Sequence, residues 1–285
     1  MKHFVGPVAT GAGRKPRLKL PAKACECHSH VYDRRYPMVA GRTVRHYAPL
    51  SAYKALLARL GFERTALAHS STYGADNSCT LDAIRELGIE RARGTAVPPP
   101  DATAADLRRL HAAGIRGFRF SYGGDEFSPG DAKAVARRIA PLGWHLQVAV
   151  WRSEAAAFFQ GLASDVVIDH VGRIDAAGGV NNPHFVSLLR FLDSGQGWVK
   201  ISGPYYASFA GPPGYANFGE RVKALVGVRP DRLVWGANWP HPTLPKEGEP
   251  EEADWLDAMA DWVPDETMRN AIFVDNPARL YGLTA

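Results

Sequence analysis

The sequence has 285 residues, of which 46% are hydrophobic and 22% charged, and its formal net charge is +5. A chain of this length and apolar content can bury a large core, which indicates a globular protein. No apolar run approaches the roughly 18 residues of a membrane span. The first residues also lack the compact apolar core of a secretory signal, so we expect a soluble, cytoplasmic protein.

The positive charge is concentrated at the N-terminus. Residues 1–23 contain no acid and six basic residues, which are Lys2, Arg14, Lys15, Arg17, Lys19 and Lys23. Subtracting these six charges from +5 leaves −1 for residues 24–285. A basic terminus that also contains Gly and Pro is typical of a solvated or loosely packed arm. We therefore predict a basic arm over 1–23, a single catalytic domain over 24–285, and neither nucleic acid nor a membrane as a partner.

The cysteines predict reduced thiols. Cys25, Cys27 and Cys79 make an odd count, and the first two lie one residue apart in a probable strand. This pattern disfavours a disulfide framework.

Short β-branched or apolar runs alternate with amphipathic stretches through the body of the chain, which is typical of repeated βα units. Eight runs have this character: residues 24–31, 64–70, 92–98, 115–121, 144–150, 165–171, 198–203 and 232–238. Eight such units in a chain of this length predict a (β/α)₈ barrel of the TIM type. An open doubly wound sheet is the alternative, but no glycine-rich dinucleotide loop follows the first run.

Three histidines fall where predicted strands end. His28 and His30 close the first strand in "CECHSH", and His170 closes the sixth in "VVIDHVG". Because side chains alternate between the faces of a strand, Glu26, His28 and His30 are expected on one face. The C-terminal ends of the strands form the active-site face of such a barrel. The three imidazoles are therefore predicted to meet there, where they can bind a metal ion or polarise a carbonyl.

Eight segments carry a family resemblance: "CECHSHVYDRRYP", "DNSCTLDAI", "RARGTAV", "GIRGFRF", "GWHLQV", "VIDHVG", "VKISGPY" and "VWGANWPHP". Together they resemble the amidohydrolase superfamily, and within it the branch of pyrone dicarboxylate lactonases and sugar-acid lactone isomerases. The resemblance extends from about Lys19 to Leu283. It implies a distorted (β/α)₈ barrel that acts, without a metal or other cofactor, on the ester carbonyl of a small acidic lactone.

By this resemblance His28, His30 and His170 polarise the scissile carbonyl and stabilise the developing oxyanion. One Zn or Mn ion bound by the same three histidines is the alternative, since three imidazoles can hold zinc with an open fourth position. Metal sites of the superfamily usually add an Asp from the eighth strand, and dinuclear sites add a Lys or Glu from the fourth. This chain has Asn238 and Arg119 at those places, and both substitutions weaken metal binding.

Asn238 matches the position where hydrolytic members of the family carry an Asp that takes a proton from the attacking water. An amide cannot do this at neutral pH, and general-base catalysis contributes roughly 10²–10⁴-fold. His241, three residues further on, is a candidate replacement base. Alternatively, a hydroxyl group of a polyhydroxy lactone attacks its own carbonyl, since the ring holds it in place, and Asn238 orients that hydroxyl. We therefore favour lactone isomerisation over lactone hydrolysis.

Five residues are predicted to bind the substrate. Arg119 in "GFRF" resembles a family arginine that clamps a carboxylate, for which the forked guanidinium is well suited. Tyr47 and Ser71 match loop positions that hydrogen-bond the substrate in relatives. Tyr206 and Trp151 follow predicted strands and offer stacking or hydroxyl contacts.

The charge of this predicted site differs from that of the dicarboxylate lactonases. Asp125 and Tyr206 stand where those enzymes have further arginines, which implies fewer carboxylates on the substrate. Two other functional classes remain as alternatives. They are a metal-dependent hydrolase or decarboxylase of the superfamily, and a catalytically silent barrel that binds acidic lactones.

Overall fold

A parallel β-sheet of eight strands is the centre of the computed structural model, which describes residues 4–120, 129–242 and 250–284. The strands lie side by side in chain order. They are β1 (Cys25–Glu26), β2 (Arg64–Leu67), β3 (Ala92–Ala96), β4 (Ile115–Arg119), β5 (His145–Val148), β6 (Val166–Ile168), β7 (Gly197–Ile201) and β8 (Leu233–Trp235). Seven of the eight predicted runs contain one of these strands, and the run 198–203 overlaps β7, which begins one residue earlier at Gly197. The predicted (β/α)₈ barrel is confirmed.

The sheet closes on itself where β8 meets β1. The backbone amide of Cys27 donates to the carbonyl oxygen of Trp235 at 2.9 Å, and a parallel bridge joins Ser29 to Trp239. All strands are parallel, so their C-terminal ends form one rim of the barrel. The polar residues that follow the strands therefore lie together at that rim.

Helices cover the outside of the barrel between the strands. They are α1 (Leu50–Leu60), α2 (Ser78–Leu87), α3 (Ala104–Ala112), α4 (Pro129–Ile139), α5 (Ala155–Phe159), α6 (Pro183–Asp193), α7 (Ala216–Val228), α8 (Glu252–Trp262), α9 (Glu266–Asn270) and α10 (Asn276–Tyr281). In α1, Tyr53, Leu56 and Leu60 recur at helical spacing and are buried. Burying each leucine contributes about 1.5–3 kcal/mol. Gly61 ends this helix at φ 87°, a conformation that glycine adopts without a Cβ clash.

The strands are shorter than the predicted runs, because the polar ends of the runs leave the sheet. Regular pairing of β1 stops at Glu26, and its carboxylate accepts a hydrogen bond from Tyr53 of α1 at 2.5 Å. The side chain of His28 turns instead toward Asp169, which follows β6. The prediction that Glu26 and His28 share a face is therefore wrong, since the regular strand ends at Glu26 and strict alternation is lost beyond it.

The basic N-terminal arm lies against the barrel. Arg14 forms ion pairs with Asp254 at 2.9 Å and with Asp257 at 2.6 Å, both on α8. The backbone amide of Leu18 donates to Asp257 as well, at 2.9 Å. The arm, which was expected to be solvated or loosely packed, is therefore attached to the barrel at several points.

The cysteines agree with the prediction of reduced thiols. Cys25, Cys27 and Cys79 are buried free thiols. Among the helices of the described residues, none combines the length and the apolar character needed to cross a membrane.

Candidate active site

His28, His30 and His170 form a buried cluster at the C-terminal rim of the barrel. The ring centroid of His28 lies 5.1 Å from that of His30 and 4.5 Å from that of His170. Their exposed fractions are 0%, 3% and 0%. The structure thus brings together the three histidines that were predicted to meet from the ends of the first and sixth strands.

A left-handed turn after β6 positions His170. His170, Val171 and Gly172 have φ values of 54°, 50° and 74°. Non-glycine residues in this region cost of order 1–3 kcal/mol each, so the surrounding packing must hold the turn. Ser202, which follows β7, fixes the ring through a 2.8 Å hydrogen bond between its Oγ and His170 Nδ1.

Asp169 belongs to this cluster, although the sequence analysis did not assign it. Its Oδ1 accepts a hydrogen bond from His28 Nδ1 at 3.2 Å and lies 3.4 Å from Lys200 Nζ. Its Oδ2 accepts a hydrogen bond from Gln147 Nε2 at 2.9 Å. Burial alone would raise the pKa of Asp169, but the interaction with His28, including its hydrogen bond, and the positive charge of Lys200 outweigh it and hold that pKa well below its usual value. The sequence does carry a signal, since the apolar run "VVI" ends directly on this carboxylate.

The histidines of the cluster are neutral near pH 7. Burial lowers the pKa of His28 to about 4, despite the nearby charge of Asp169. Burial also lowers the pKa values of His30 and His170 well below the usual value for histidine. Each ring therefore carries a single N–H, and its hydrogen-bond partner decides which nitrogen has it.

These partners divide the three histidines into two kinds. Nδ1 of His28 lies 3.2 Å from the Asp169 carboxylate, which can only accept, and 3.4 Å from Lys200 Nζ, which donates to Gln147 Oε1 at 3.0 Å. Nδ1 of His30 donates to the carbonyl oxygen of Ala68 at 2.7 Å. Both rings therefore carry their hydrogen on Nδ1 and a lone pair on Nε2. Nδ1 of His170 faces the Ser202 hydroxyl, which can donate as well as accept. His170 can therefore be neutral and still present an N–H at Nε2.

Asn238 lies in the loop after β8, next to His28. Its backbone amide donates to the carbonyl oxygen of His28 at 2.6 Å, and its φ of 55° is left-handed. Its Nδ2 donates to the hydroxyl oxygens of Tyr205 at 2.6 Å and Tyr206 at 3.3 Å. Its Oδ1 is buried and has no hydrogen-bond partner among the described residues. The side chain thus supplies one unpaired acceptor where hydrolytic members of the resembled family have a carboxylate.

His241 is held by the protein through both ring nitrogens. Its Nε2 donates to Glu252 Oε1 at 2.9 Å, and its Nδ1 is hydrogen-bonded to the Tyr205 hydroxyl at 3.1 Å. The structure therefore does not support His241 as a base in direct contact with water, because neither nitrogen is available.

A cavity of about 310 Å³ opens beside the cluster. Of the predicted site residues, His30, Ser71 and Arg119 line it. Arg42 and Arg173 also line it, although the sequence analysis did not assign them, and none of the described lining residues is acidic. The concentration of arginine makes this cavity suited to an anionic ligand.

Arg119, at the C-terminal end of β4, is oriented by the backbone. Its Nη1 donates to the carbonyl oxygen of His69 at 2.6 Å. Burial lowers the pKa of Arg119, but a guanidinium stays charged at neutral pH. The carbonyl of His69 thus holds a charged, forked donor in the wall of the cavity.

Known proteins resemble this chain in both sequence and fold. A family model described as Amidohydrolase matches residues 25–283. The chain belongs to the amidohydrolase family. It is 36% identical to a 2-pyrone-4,6-dicarboxylate hydrolase of Comamonas testosteroni, over 94% of this chain and 92% of that protein. It is 27% identical to a D-galactarolactone isomerase of Agrobacterium fabrum, over 96% of each chain. A solved apo structure from Agrobacterium tumefaciens superposes with a TM-score of 0.84 at 27% identity, covering 94% of this chain and 99% of that one.

Two predicted substrate contacts of this amidohydrolase have well-defined surroundings. The ring of Tyr206 lies 5.2 Å from His170 and under the guanidinium of Arg173, at 4.4 Å. Tyr206 is therefore next to the histidine cluster. The ring of Tyr47 lies under Arg34, at 4.7 Å, and is not among the described residues that line the cavity.

Trp151 is part of the hydrophobic core. Its exposed fraction is 0%, and its ring packs against Phe159 of α5 at 6.2 Å and Phe191 of α6 at 4.8 Å. The structure does not support the predicted substrate contact of Trp151, because α5 and α6 cover the side chain. Asp125, which was predicted to reduce the positive charge of the site, lies outside the described residues.

The donor set of this amidohydrolase fits a metal ion poorly. Within the described residues, the group whose ligand atoms lie within 4.8 Å of one another is His28, Asp169 and His170, without the predicted His30. The Nε2 atoms of His28 and His170 have no described partner and could bind a metal. However, Oδ1 of Asp169 already accepts from His28 and lies 3.4 Å from the ammonium of Lys200. A divalent ion there would be repelled by that buried cation.

Proposed function

We propose that this amidohydrolase acts, without a metal, on the ester carbonyl of a small carboxylated lactone and shifts its ring by isomerisation. The observation that carries the proposal is that Arg119 and His30 line the same small cavity. An anion clamp and one member of the histidine cluster therefore face the same ligand, and the ring of His28 lies 5.1 Å from that of His30. The names of the two relatives support the substrate class, since one is a 2-pyrone-4,6-dicarboxylate hydrolase and the other a D-galactarolactone isomerase.

The cavity supports recognition of a small acid. A volume of about 310 Å³ is at the lower end of small-molecule sites. The guanidinium of Arg119 can bind a carboxylate through two parallel hydrogen bonds. Arg42 and Arg173 add positive charge, so the site holds more cations than the sequence analysis expected.

His170 is the proposed hydrogen-bond donor to the lactone carbonyl. It is the member of the cluster whose Nε2 can carry a hydrogen while the ring is neutral, because Ser202 can donate to its Nδ1. A fixed donor at a developing oxyanion is effective because it is already oriented, and its loss typically costs about 10²–10³-fold in kcat.

His28 is the proposed proton acceptor. Its Nδ1–H is held by Asp169, which leaves the Nε2 lone pair for an incoming hydroxyl. A hydroxyl oxygen of the lactone adds to the carbonyl carbon as its proton passes to His28. The original ring C–O bond then breaks, and His28 returns the proton to the departing oxygen. The product is a ring-shifted lactone, and no water is consumed.

Asn238 supports isomerisation over hydrolysis. A water nucleophile must be both positioned and deprotonated, whereas the lactone's own hydroxyl is positioned by the molecule that carries it. The unpaired Oδ1 of Asn238 can share the single hydrogen of that hydroxyl with Nε2 of His28 in a three-centre bond, which orients the oxygen before the proton passes to His28. The runner-up is a lactone hydrolase, in which the same histidines act on water.

The test is turnover of mono- and dicarboxylated lactones in ¹⁸O-labelled water, followed by mass spectrometry and proton NMR. A ring-shifted lactone without label supports the proposal. Labelled open-chain acid formed at an enzymatic rate overturns isomerisation and establishes the hydrolase. Failure to process any acidic lactone overturns the substrate class.

A metal-dependent hydrolase or decarboxylase is the second candidate, favoured by the two unpartnered Nε2 atoms of His28 and His170. Those residues and Asp169 would hold the ion, which would act as a Lewis acid. The test is inductively coupled plasma mass spectrometry of protein purified without added metal. Near-stoichiometric zinc or manganese would establish this candidate. Protein that contains neither metal and still turns over its substrate would overturn it.

A further inference from the structure

We propose that Glu252, His241 and Tyr205 are positioning residues that set the direction of the Asn238 amide, so that Oδ1 and not Nδ2 meets the reacting hydroxyl. This inference rests on the proposed function and identifies what makes Asn238 useful in it. It is carried by an unbroken chain of hydrogen bonds between the loops that follow β7 and β8, and by the buried, unpaired Oδ1 at its end.

The chain begins at a carboxylate that can only accept. Glu252 opens α8, where the helix dipole favours a negative charge. It also forms an ion pair with Arg59. Burial would raise the pKa of Glu252, but the hydrogen bond from His241 and the charge of Arg59 outweigh it, so that pKa lies below its usual value. An ionised Glu252 requires His241 to donate from Nε2 across the 2.9 Å contact.

Each following group then has one available role. His241, which donates from Nε2, presents Nδ1 to the Tyr205 hydroxyl, and in the proposed chain that hydroxyl donates across the 3.1 Å contact. Burial raises the pKa of Tyr205 well above its usual value, so the phenol keeps its proton. The oxygen of Tyr205 must then accept, and it does so from Nδ2 of Asn238 at 2.6 Å.

The direction of the Asn238 side-chain amide follows from these donor and acceptor roles. If Asn238 were reversed, its Oδ1 would face the Tyr205 oxygen, whose hydrogen is already used by His241. Two acceptors would then oppose each other at 2.6 Å. In the observed direction Oδ1 is left without a described partner, ready to accept from an O–H group. An aspartate at this position would need no such control, because its two oxygens are equivalent.

Packing holds the chain in place. The rings of Tyr205 and His241 both lie edge-on to Trp255, at centroid distances of 6.3 and 6.0 Å. Tyr215 contacts the same indole in the same manner, at 6.3 Å, but stands outside the hydrogen-bond chain. Tyr215→Phe is therefore a matched control for Tyr205→Phe.

The first experiment does not depend on turnover. It measures hydrogen exchange of the Asn238 side-chain amide by ¹⁵N NMR, with the signal assigned from its loss in Asn238→Asp. The amide protons are expected to be protected in the wild-type protein. Tyr205→Phe is expected to speed their exchange by at least about tenfold, whereas Tyr215→Phe leaves it unchanged. Equal exchange in the wild-type protein and Tyr205→Phe overturns the proposal, whether or not the protein turns over a lactone.

The second experiment is a double-mutant cycle on kcat. Tyr205→Phe is expected to lower kcat by about 10–100-fold with little change in KM, because a misplaced polar group mainly costs transition-state positioning. In an Asn238→Asp background the same substitution is expected to cost less than about threefold. Glu252→Gln can donate to His241 and so reverse the chain. In the protein that keeps Asn238, it is expected to lower kcat as much as Tyr205→Phe does. Equal losses from Tyr205→Phe in both backgrounds would show a merely structural role for Tyr205 and overturn the proposal.

Discussion

Nδ1 of His28 donates a hydrogen bond to Oδ1 of Asp169 at 3.2 Å, and both side chains are completely buried. The pair comes from the ends of β1 and β6. It determines which nitrogen of His28 carries the hydrogen, so the chemistry proposed for His28 depends on Asp169.

Asp169→Asn should therefore disable the proton acceptor while preserving the shape of the site. The asparagine can donate to Nδ1, which moves the hydrogen of His28 to Nε2 and removes the lone pair. We expect kcat to fall by about 10²–10⁴-fold with KM changed by less than about threefold. Asp165→Asn is the control, because Asp165 precedes the same strand but binds Trp198 and Arg232. Similar kinetics for Asp169→Asn and the wild-type protein would rule out this role.

Arg119→Lys tests the carboxylate clamp. Lysine keeps the charge but loses the fork that binds two oxygens at once, so we expect KM for an acidic lactone to rise by about 10–100-fold. The control is Arg116→Lys on the same strand, because Arg116 donates to the carbonyl oxygens of His111 and Ile115. Steady-state kinetics of both variants is the measurement. Equal KM values in the two variants would mean that Arg119 does not bind the carboxylate.

The free energy of unfolding should fall as the pH decreases from about 6.5 to 4. Burial lowers the pKa of His28 and of His69 to about 4, and that of His145 to about 3. Below the ordinary histidine pKa, these histidines bind protons in the unfolded chain but stay unprotonated in the folded chain. Acid therefore favours unfolding. Each such histidine contributes up to about 1.4 kcal/mol per pH unit. Urea denaturation at pH 7, 6 and 5 measures the slope, which should be shallower in His145→Gln. A pH-independent free energy would contradict this account.

Trp151→Phe separates packing from substrate binding. Since Trp151 packs in the core against Phe159 and Phe191, its truncation should lower the free energy of unfolding by about 1–3 kcal/mol. KM for the lactone should stay the same. Chemical denaturation and steady-state kinetics provide the two readouts. A raised KM with an unchanged free energy of unfolding would support the substrate contact of Trp151 predicted from the sequence.

The barrel and the histidine cluster could be predicted because both depend on local patterns. Apolar runs that alternate with amphipathic stretches predict βα units, and parallel strands bring their C-terminal ends to one rim. His28, His30 and His170 each follow such a run. The separation of Glu26 from His28 could not be predicted, because it depends on where strand pairing stops and not on residue order.

The sequence by itself determined the fold class, the strand ends from which the site is built, and the absence of a carboxylate at position 238. Only the tertiary structure decided which group faces Nδ1 of each histidine, because Asp169, Ala68 and Ser202 come from other parts of the barrel. It also decided that Trp151 belongs to the core, since α5 and α6 cover it. The direction of the Asn238 amide likewise depends on groups from two loops and α8. Hydrogen-bond direction follows from which groups meet in space, and residue spacing along the chain does not encode that.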